Sequence, residues 1–171
     1  MDPFLRHVVG AGLRGGEAER VAFDLPTGAG DGPETALTWA ALDERSAALA
    51  AGLRSIGIAP GDRVAWFARS CDALVIGLVA ALRLGAIHVP INTRYRGEEI
   101  AHILTDSGAA ALVTTPDSEA LRAAAELGAA GPRVHVIVGA ATGDGSDDSG
   151  DERTFNFDAL CAQGAAAAHG F

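Results

Sequence analysis

Apolar positions along this chain alternate between two rhythms, one helical and one extended. Residues 39–56 place Leu42, Leu49, Leu53 and Ile56 at spacings of seven, four and three, which is one face of a helix. Asp43, Glu44, Arg45 and Arg54 are left for its wet side. Thr38 is a suitable N-cap for this helix, and Gly57 is placed to end it in a left-handed conformation. Pro60-Gly61-Asp62 then makes a turn, and residues 63–68 form a short continuous apolar run that reads as a strand.

The same alternation repeats further on. Ser70 is a candidate cap for a helix running to Leu84 and stopped by Gly85, and residues 87–89 make a short strand closed by Pro90. Residues 98–105 form a helix with Ile100, Ile103 and Leu104 inward, ended near Gly108, and residues 109–114 form a strand. Thr115-Pro116 reads as a cap followed by proline at the first helical position, opening a helix to Leu127. Residues 133–138 form a further strand. Strands that take turns with helices in this way predict an α/β fold, a mainly parallel sheet with helices on both faces.

The two ends are less regular. Residues 1–36 read as a lead-in: a short helix from Pro3 to about Val9, a Gly-rich stretch, then a strand over 20–24 and a hairpin returning through 35–38 across Gly, Asp and Pro. The α/β core is expected over 37–138. Residues 139–171 are expected to hold an acidic, solvated loop (139–151) and one short helix (155–163).

Composition narrows the functions available. The chain has 171 residues, a net charge of −9, and 13 Lys+Arg positions that are all arginine. A net acidic chain without a basic run is a poor partner for nucleic acid or anionic lipid. Without lysine it has no Lys nucleophile and no lysine-dependent phosphate loop. The longest apolar run, 73–82, is too short to span a membrane, and residues 1–5 lack the charged start of a signal peptide. A cytoplasmic protein is therefore expected. Cys71 and Cys161 are far apart and read as reduced, partly buried thiols.

Isolated motifs have structural readings. Gly10, Gly12 and Gly15 fit G-x-G-x-x-G with Asp24 downstream, but only residues 16–20 separate Gly15 from Val21, too few for a crossover helix. None of His7, His88, His102, His135 and His169 pairs at metal-ligand spacing, so no metal site is expected. His88 and His135 lie in predicted strands and read as half-buried packing residues. Ser70 and Ser107 sit at helix ends, and Glu98-Glu99 opens a helix where negative charge meets the positive end of the dipole.

A larger constellation is more specific. Leu37-Thr38-Trp39-Ala40-Ala41-Leu42 is followed by Gly57-Ile58-Ala59-Pro60-Gly61-Asp62-Arg63-Val64-Ala65, then by Leu82-Arg83-Leu84-Gly85-Ala86-Ile87-His88-Val89-Pro90-Ile91-Asn92. Asn92-Thr93-Arg94-Tyr95-Arg96-Gly97-Glu98-Glu99-Ile100 then leads into Ile103-Leu104-Thr105-Asp106-Ser107-Gly108. In order and spacing these blocks resemble the opening of the AMP-binding, acyl-adenylate-forming superfamily, specifically over 35–115. The Asn-Thr-Arg-Tyr wording resembles the acyl-CoA synthetase branch. Two departures stand out: Ala41 replaces a frequent Glu or Asp, and Arg69-Ser70-Cys71 replaces a more usual Asn-Ser-Pro, a variation at a helix start.

The resemblance implies a parent enzyme that activates a carboxylic acid with Mg-ATP and passes the acyl group to CoA. It implies that the chain is an N-terminal portion of the AMP-binding domain, inactive alone, whose partner is the remainder of that domain. The family's phosphate loop and catalytic lysine have no counterpart here, so no catalytic residue is assigned and no ATP or Mg site is expected in the chain itself. By the same resemblance Thr93, Arg94 and Arg122 are candidates for contact with CoA. The reading frame is expected to continue past Phe171. The rival reading is a free-standing, non-catalytic α/β binding domain.

Overall fold

The computed structural model describes residues 9–13, 17–27, 30, 32–139 and 154–168. A two-stranded antiparallel hairpin, β1 (Val21–Pro26) and β2 (Glu34–Thr38), leads directly into helix α1 (Trp39–Ser55). Then follow β3 (Arg63–Phe67), α2 (Asp72–Leu84), β4 (Ile87–Pro90), α3 (Gly97–Ser107), β5 (Ala111–Thr114), α4 (Glu119–Leu127), β6 (Val134–Ile137), β7 (Thr154–Asn156) and α5 (Phe157–Ala168). Strands β3 to β7 form one sheet in the order β4-β3-β5-β6-β7, and every pair in it is parallel.

Successive side chains of a strand point to opposite faces, and here both faces are covered. Val64, Trp66, Ala111, Val113, Val134 and Val136 join one cluster, with α1, α2 and α5 packed together on that side. Ala65, Phe67 and Leu112 join the second cluster, with Ile100 and Leu104 of α3 and Ala120, Ala123 and Ala124 of α4. Burial on both sides explains why the strands read as continuous apolar runs. Each fully buried Leu, Ile or Val contributes about 1.5–3 kcal/mol.

Alanine and glycine let the layers approach closely. A Cβ on Gly52 would meet the Leu160 carbonyl, and one on Gly164 would meet the Ala48 carbonyl, so the backbones of α1 and α5 are in contact. A Cβ on Gly77 would meet the Trp66 ring, so α2 rests directly on the sheet.

Most predicted boundaries hold within a residue or two. Thr38 caps α1, its hydroxyl accepting from Ala41 N at 3.1 Å. Gly85 and Gly108 end α2 and α3 with φ of 77° and 58°. Five details differ. The cap of α2 is Cys71, not Ser70, and its side chain makes no capping bond. Helix α4 begins at Glu119, capped by Ser118 Oγ accepting from Leu121 N, because Pro116 and a left-handed Asp117 (φ 51°) make a turn first. Residues 154–156 pair with β6 as a fifth parallel strand, and the last helix runs on to Ala168. Near the amino end, residues 9–13 are helical where a Gly-rich connector was expected. The expected helix over 3–9 and the acidic loop fall almost wholly outside the described residues.

Candidate functional site

The strand order places a topological switch between β3 and β5. From β3 the chain crosses by α2, on one face, to β4 on one side; it returns by α3, on the other face, to β5 on the opposite side. In open parallel sheets the helices leaving two such strands diverge and open a crevice beyond the strands' carboxyl ends. A cavity of about 520 Å³ lies there. Phe67, Ala68 and Arg69 reach it from the end of β3, Thr93 and Arg96 from the loop after β4, and Thr115, Pro116, Ser118 and Glu119 from the segment after β5.

Hydrogen bonds hold the two flanking strands in register at its base. Buried Thr114 Oγ1 is 2.9 Å from the Phe67 carbonyl oxygen and 2.7 Å from Ser118 Oγ. A hydroxyl carries one proton, so Thr114 donates to Phe67 while accepting from Ser118. The crevice walls are thereby joined beneath the opening.

Its charged groups are two arginines and one carboxylate. Arg96 opens α3: its backbone N–H donates to Glu99 Oε2 at 3.1 Å, and its Nη1 donates to the carbonyls of Tyr95 (2.9 Å) and Thr93 (3.3 Å). Arg69 makes no hydrogen bond or ion pair with any described residue. Glu119 pairs with Arg122, and that hydrogen bond first, with the charge of Arg122 second, holds its carboxyl below the usual carboxylate range. Its negative charge is thus already matched from within α4.

Of the residues expected to meet CoA, Thr93 lines the cavity. Arg122 stands behind the wall, donating to Glu119 and to the Asp117 carbonyl. Arg94 is exposed next to Thr93, with its backbone N–H on Asn92 Oδ1 at 3.0 Å, and is not part of the lining. Arg69 and Arg96, which do line it, were not singled out. The available signal was positional, since each follows a strand end on one side of the sheet.

Other candidate chemistry is structural. His88 stacks on Trp66 with ring centroids 5.9 Å apart, and burial pulls its pKa down from the ordinary value. Burial pushes the Cys71 thiol up and the Cys161 thiol up to about 11, the opposite of an activated nucleophile. Gly12 of the dinucleotide-like motif abuts the Trp39 ring, and Asp24 lies in the hairpin. Among the described residues no group of His, Cys, Asp and Glu is placed to hold a metal ion, and no helix is long and apolar enough to cross a membrane.

Residues 15–163 match the family of AMP-binding enzymes, and the chain belongs to that family. It is 40% identical over 127 residues to a feruloyl-CoA synthase of an Amycolatopsis species, covering 74% of this chain and 25% of that one. Among solved structures it is similar to an acyl-CoA synthetase of Brucella canis: TM-score 0.71, 28% identity, 87% of this chain and 25% of that chain. A benzoate CoA ligase of Burkholderia xenovorans LB400 shares the fold at TM-score 0.67 and 20% identity, over 95% of this chain and 28% of that one. The chain spans about a quarter of the length of the curated feruloyl-CoA synthases it matches.

Proposed function

We propose that this chain is the N-terminal α/β portion of an ATP-dependent acyl-CoA ligase, and that the crevice at its switch point takes the nucleotide end of CoA. The observation that supports this most is the position of the cavity: it opens at the carboxyl ends of β3, β4 and β5 and is lined by two arginines and by Thr93. Arginine is suited to phosphate because its planar fork donates two parallel bonds. Thr93, with Arg94 beside it and Arg122 behind Glu119, belongs to the same proposed region. The chain has no lysine to meet the transferring phosphate. The adenylating groups would then come from the rest of the polypeptide, in the cytoplasm, and that remainder would also cover apolar surface seen here. Leu78 of α2 is 40% exposed and Ile87 of the edge strand β4 is 52% exposed.

The deciding experiment is a half-reaction comparison. The complete polypeptide is expected to exchange pyrophosphate with ATP in the presence of a carboxylic acid, aromatic acids heading the panel, and to form acyl-CoA and AMP when CoA is added. The 171-residue chain is expected to give no exchange above a protein-free control. Exchange by the chain alone would contradict the division of labour; no acyl-CoA from the complete polypeptide would favour a non-catalytic binding domain.

A further inference from the structure

Arg69 lines the cavity and makes no hydrogen bond or ion pair with any described residue. It follows β3 directly, at the crevice. Behind it stands the turn of the β1–β2 hairpin. Among its described residues, Thr27 N donates to the Pro33 carbonyl at 3.1 Å, and Gly30 N and Gly32 N donate to the Thr27 carbonyl at 3.2 and 3.3 Å. Gly30 has φ of 91°, and a Cβ there would lie 2.8 Å from Arg69 Cβ and 3.6 Å from Arg69 Cδ. The bare backbone of Gly30 therefore lies against the aliphatic stem of Arg69. Any side chain at position 30 is both strained, since φ is positive, and in the space of that stem.

We infer that Arg69 is an anion-binding residue of the crevice, specific for a phosphate ester, and that Gly30 is its positioning residue, the bare Gly30 backbone acting as a backstop for the arginine stem. This deepens the reading that the crevice takes the nucleotide end of CoA and rests on it. Three features support the choice of ligand. The Arg69 guanidinium on the wall has no partner among the described residues, Arg96 adds a second cation, and Arg122 together with Arg96 offsets the charge of Glu119.

The test uses the complete polypeptide that carries this chain, titrated calorimetrically with adenosine 3′,5′-bisphosphate and, separately, with adenosine. Arg69→Ala is expected to weaken the bisphosphate about 10-fold, the loss of a charge-assisted hydrogen bond, and to leave adenosine unchanged. Arg69→Lys is expected to recover part of that loss, because it restores the charge without the fork. Gly30→Ala is expected to weaken the bisphosphate severalfold in the wild-type background and to have no further effect when Arg69→Ala is present. Bisphosphate binding by the wild type that Arg69→Ala leaves untouched, or an equal loss for adenosine, would overturn the inference while the reading of the crevice stands. Full additivity of Gly30→Ala with Arg69→Ala would overturn the positioning role of Gly30. No bisphosphate binding by the wild type would remove the reading and the inference together.

Discussion

The two ends of the parallel sheet use the same residue type for opposite purposes. At the amino ends of the strands, arginine acts as a bracket. Arg63 donates from Nε to the Ser107 carbonyl at 2.7 Å, from Nη2 to the Gly108 carbonyl at 2.5 Å and from Nη1 to the Gly61 carbonyl at 3.3 Å. Arg133 donates to the Gly57 carbonyl at 2.9 Å and to Asp62 Oδ2 at 2.7 Å, while Asp62 accepts from Ala59 N. At the carboxyl ends, Arg69 meets no acceptor among the described residues, and the Arg96 guanidinium donates to carbonyls of its own loop. The connectivity explains the difference. In a strand–helix–strand repeat each helix ends just before the next strand begins, so the negative ends of the helix dipoles and their unpaired carbonyls gather at the strands' amino ends. Cations there find acceptors. The positive helix ends gather at the other edge, where a cation finds fewer acceptors from the helices themselves.

Replacing a bracket should therefore damage the fold, and replacing a crevice arginine should not. The largest effect is expected from Arg63→Met, which leaves three carbonyls at the end of α3 and the turn before β3 without their donor. A loss of about 2–3 kcal/mol is expected, read as a lower urea midpoint at unchanged slope; a change below about 0.5 kcal/mol would break the contrast. Asp62→Asn comes next, with an expected loss of about 1 kcal/mol at neutral pH. The Ala59 amide first, opposed by burial and reinforced by Arg133, holds Asp62 below its ordinary value of 3.8. The stability it provides is present above 3.8 and lost as pH falls through the lower folded value. Asp62→Asn should flatten that acid limb, and an unchanged limb would show that the bracket is electrostatically idle.

His88 lies between the two ends, paired across from Val64, and its burial lowers its pKa from 6.5. The unfolded chain takes up the proton first, so stability is complete above about 6.5 and declines as pH falls toward the folded value. His88→Phe is expected to remove this modest slope, visible as melting temperatures that no longer fall between pH 6.5 and the onset of carboxylate titration. The smallest effect belongs to Arg69→Ala and Arg94→Ala: each should shift stability by less than about 0.5 kcal/mol, as exposed substitutions do. A shift comparable to that of Arg63→Met would mean that the crevice arginines are brackets too.

The core from Thr38 to Val138 was legible because local and tertiary signals agree there. Leu42, Leu49 and Leu53 fall on one helical face and are buried together, and Gly57, Gly85 and Gly108 all adopt the positive φ that their positions suggest. The strand at Thr154–Asn156 was not legible, because three residues carry no periodicity; the segment is extended only because β6 offers an open edge for it to pair with. The start of α4 was misplaced because Thr115-Pro116 and Ser118 are both good caps locally, and Thr114 decides between them by engaging Ser118. The site was half legible. Resemblance pointed to Thr93, which lines the crevice, and to Arg94 and Arg122, which stand outside its lining. Arg69 looked like a variation at a helix start, because its place on the crevice wall depends on which strand lies beside β3, a fact of strand order that no local pattern records.

The close crossing of α1 and α5 also bears on the order in which this chain matures as it is made. Gly52 and Gly164, which let those backbones touch, are separated by roughly a hundred residues of synthesis, or about 5–20 s at 5–20 residues per second. Throughout that interval α1 has left the ribosome with the groove meant for α5 still open. Its apolar face is then available to α2, which follows it within the chain and packs on the same side of the sheet. Helix α5 thus closes the groove on α1 late, and that groove stays open to wrong partners until Gly164 arrives.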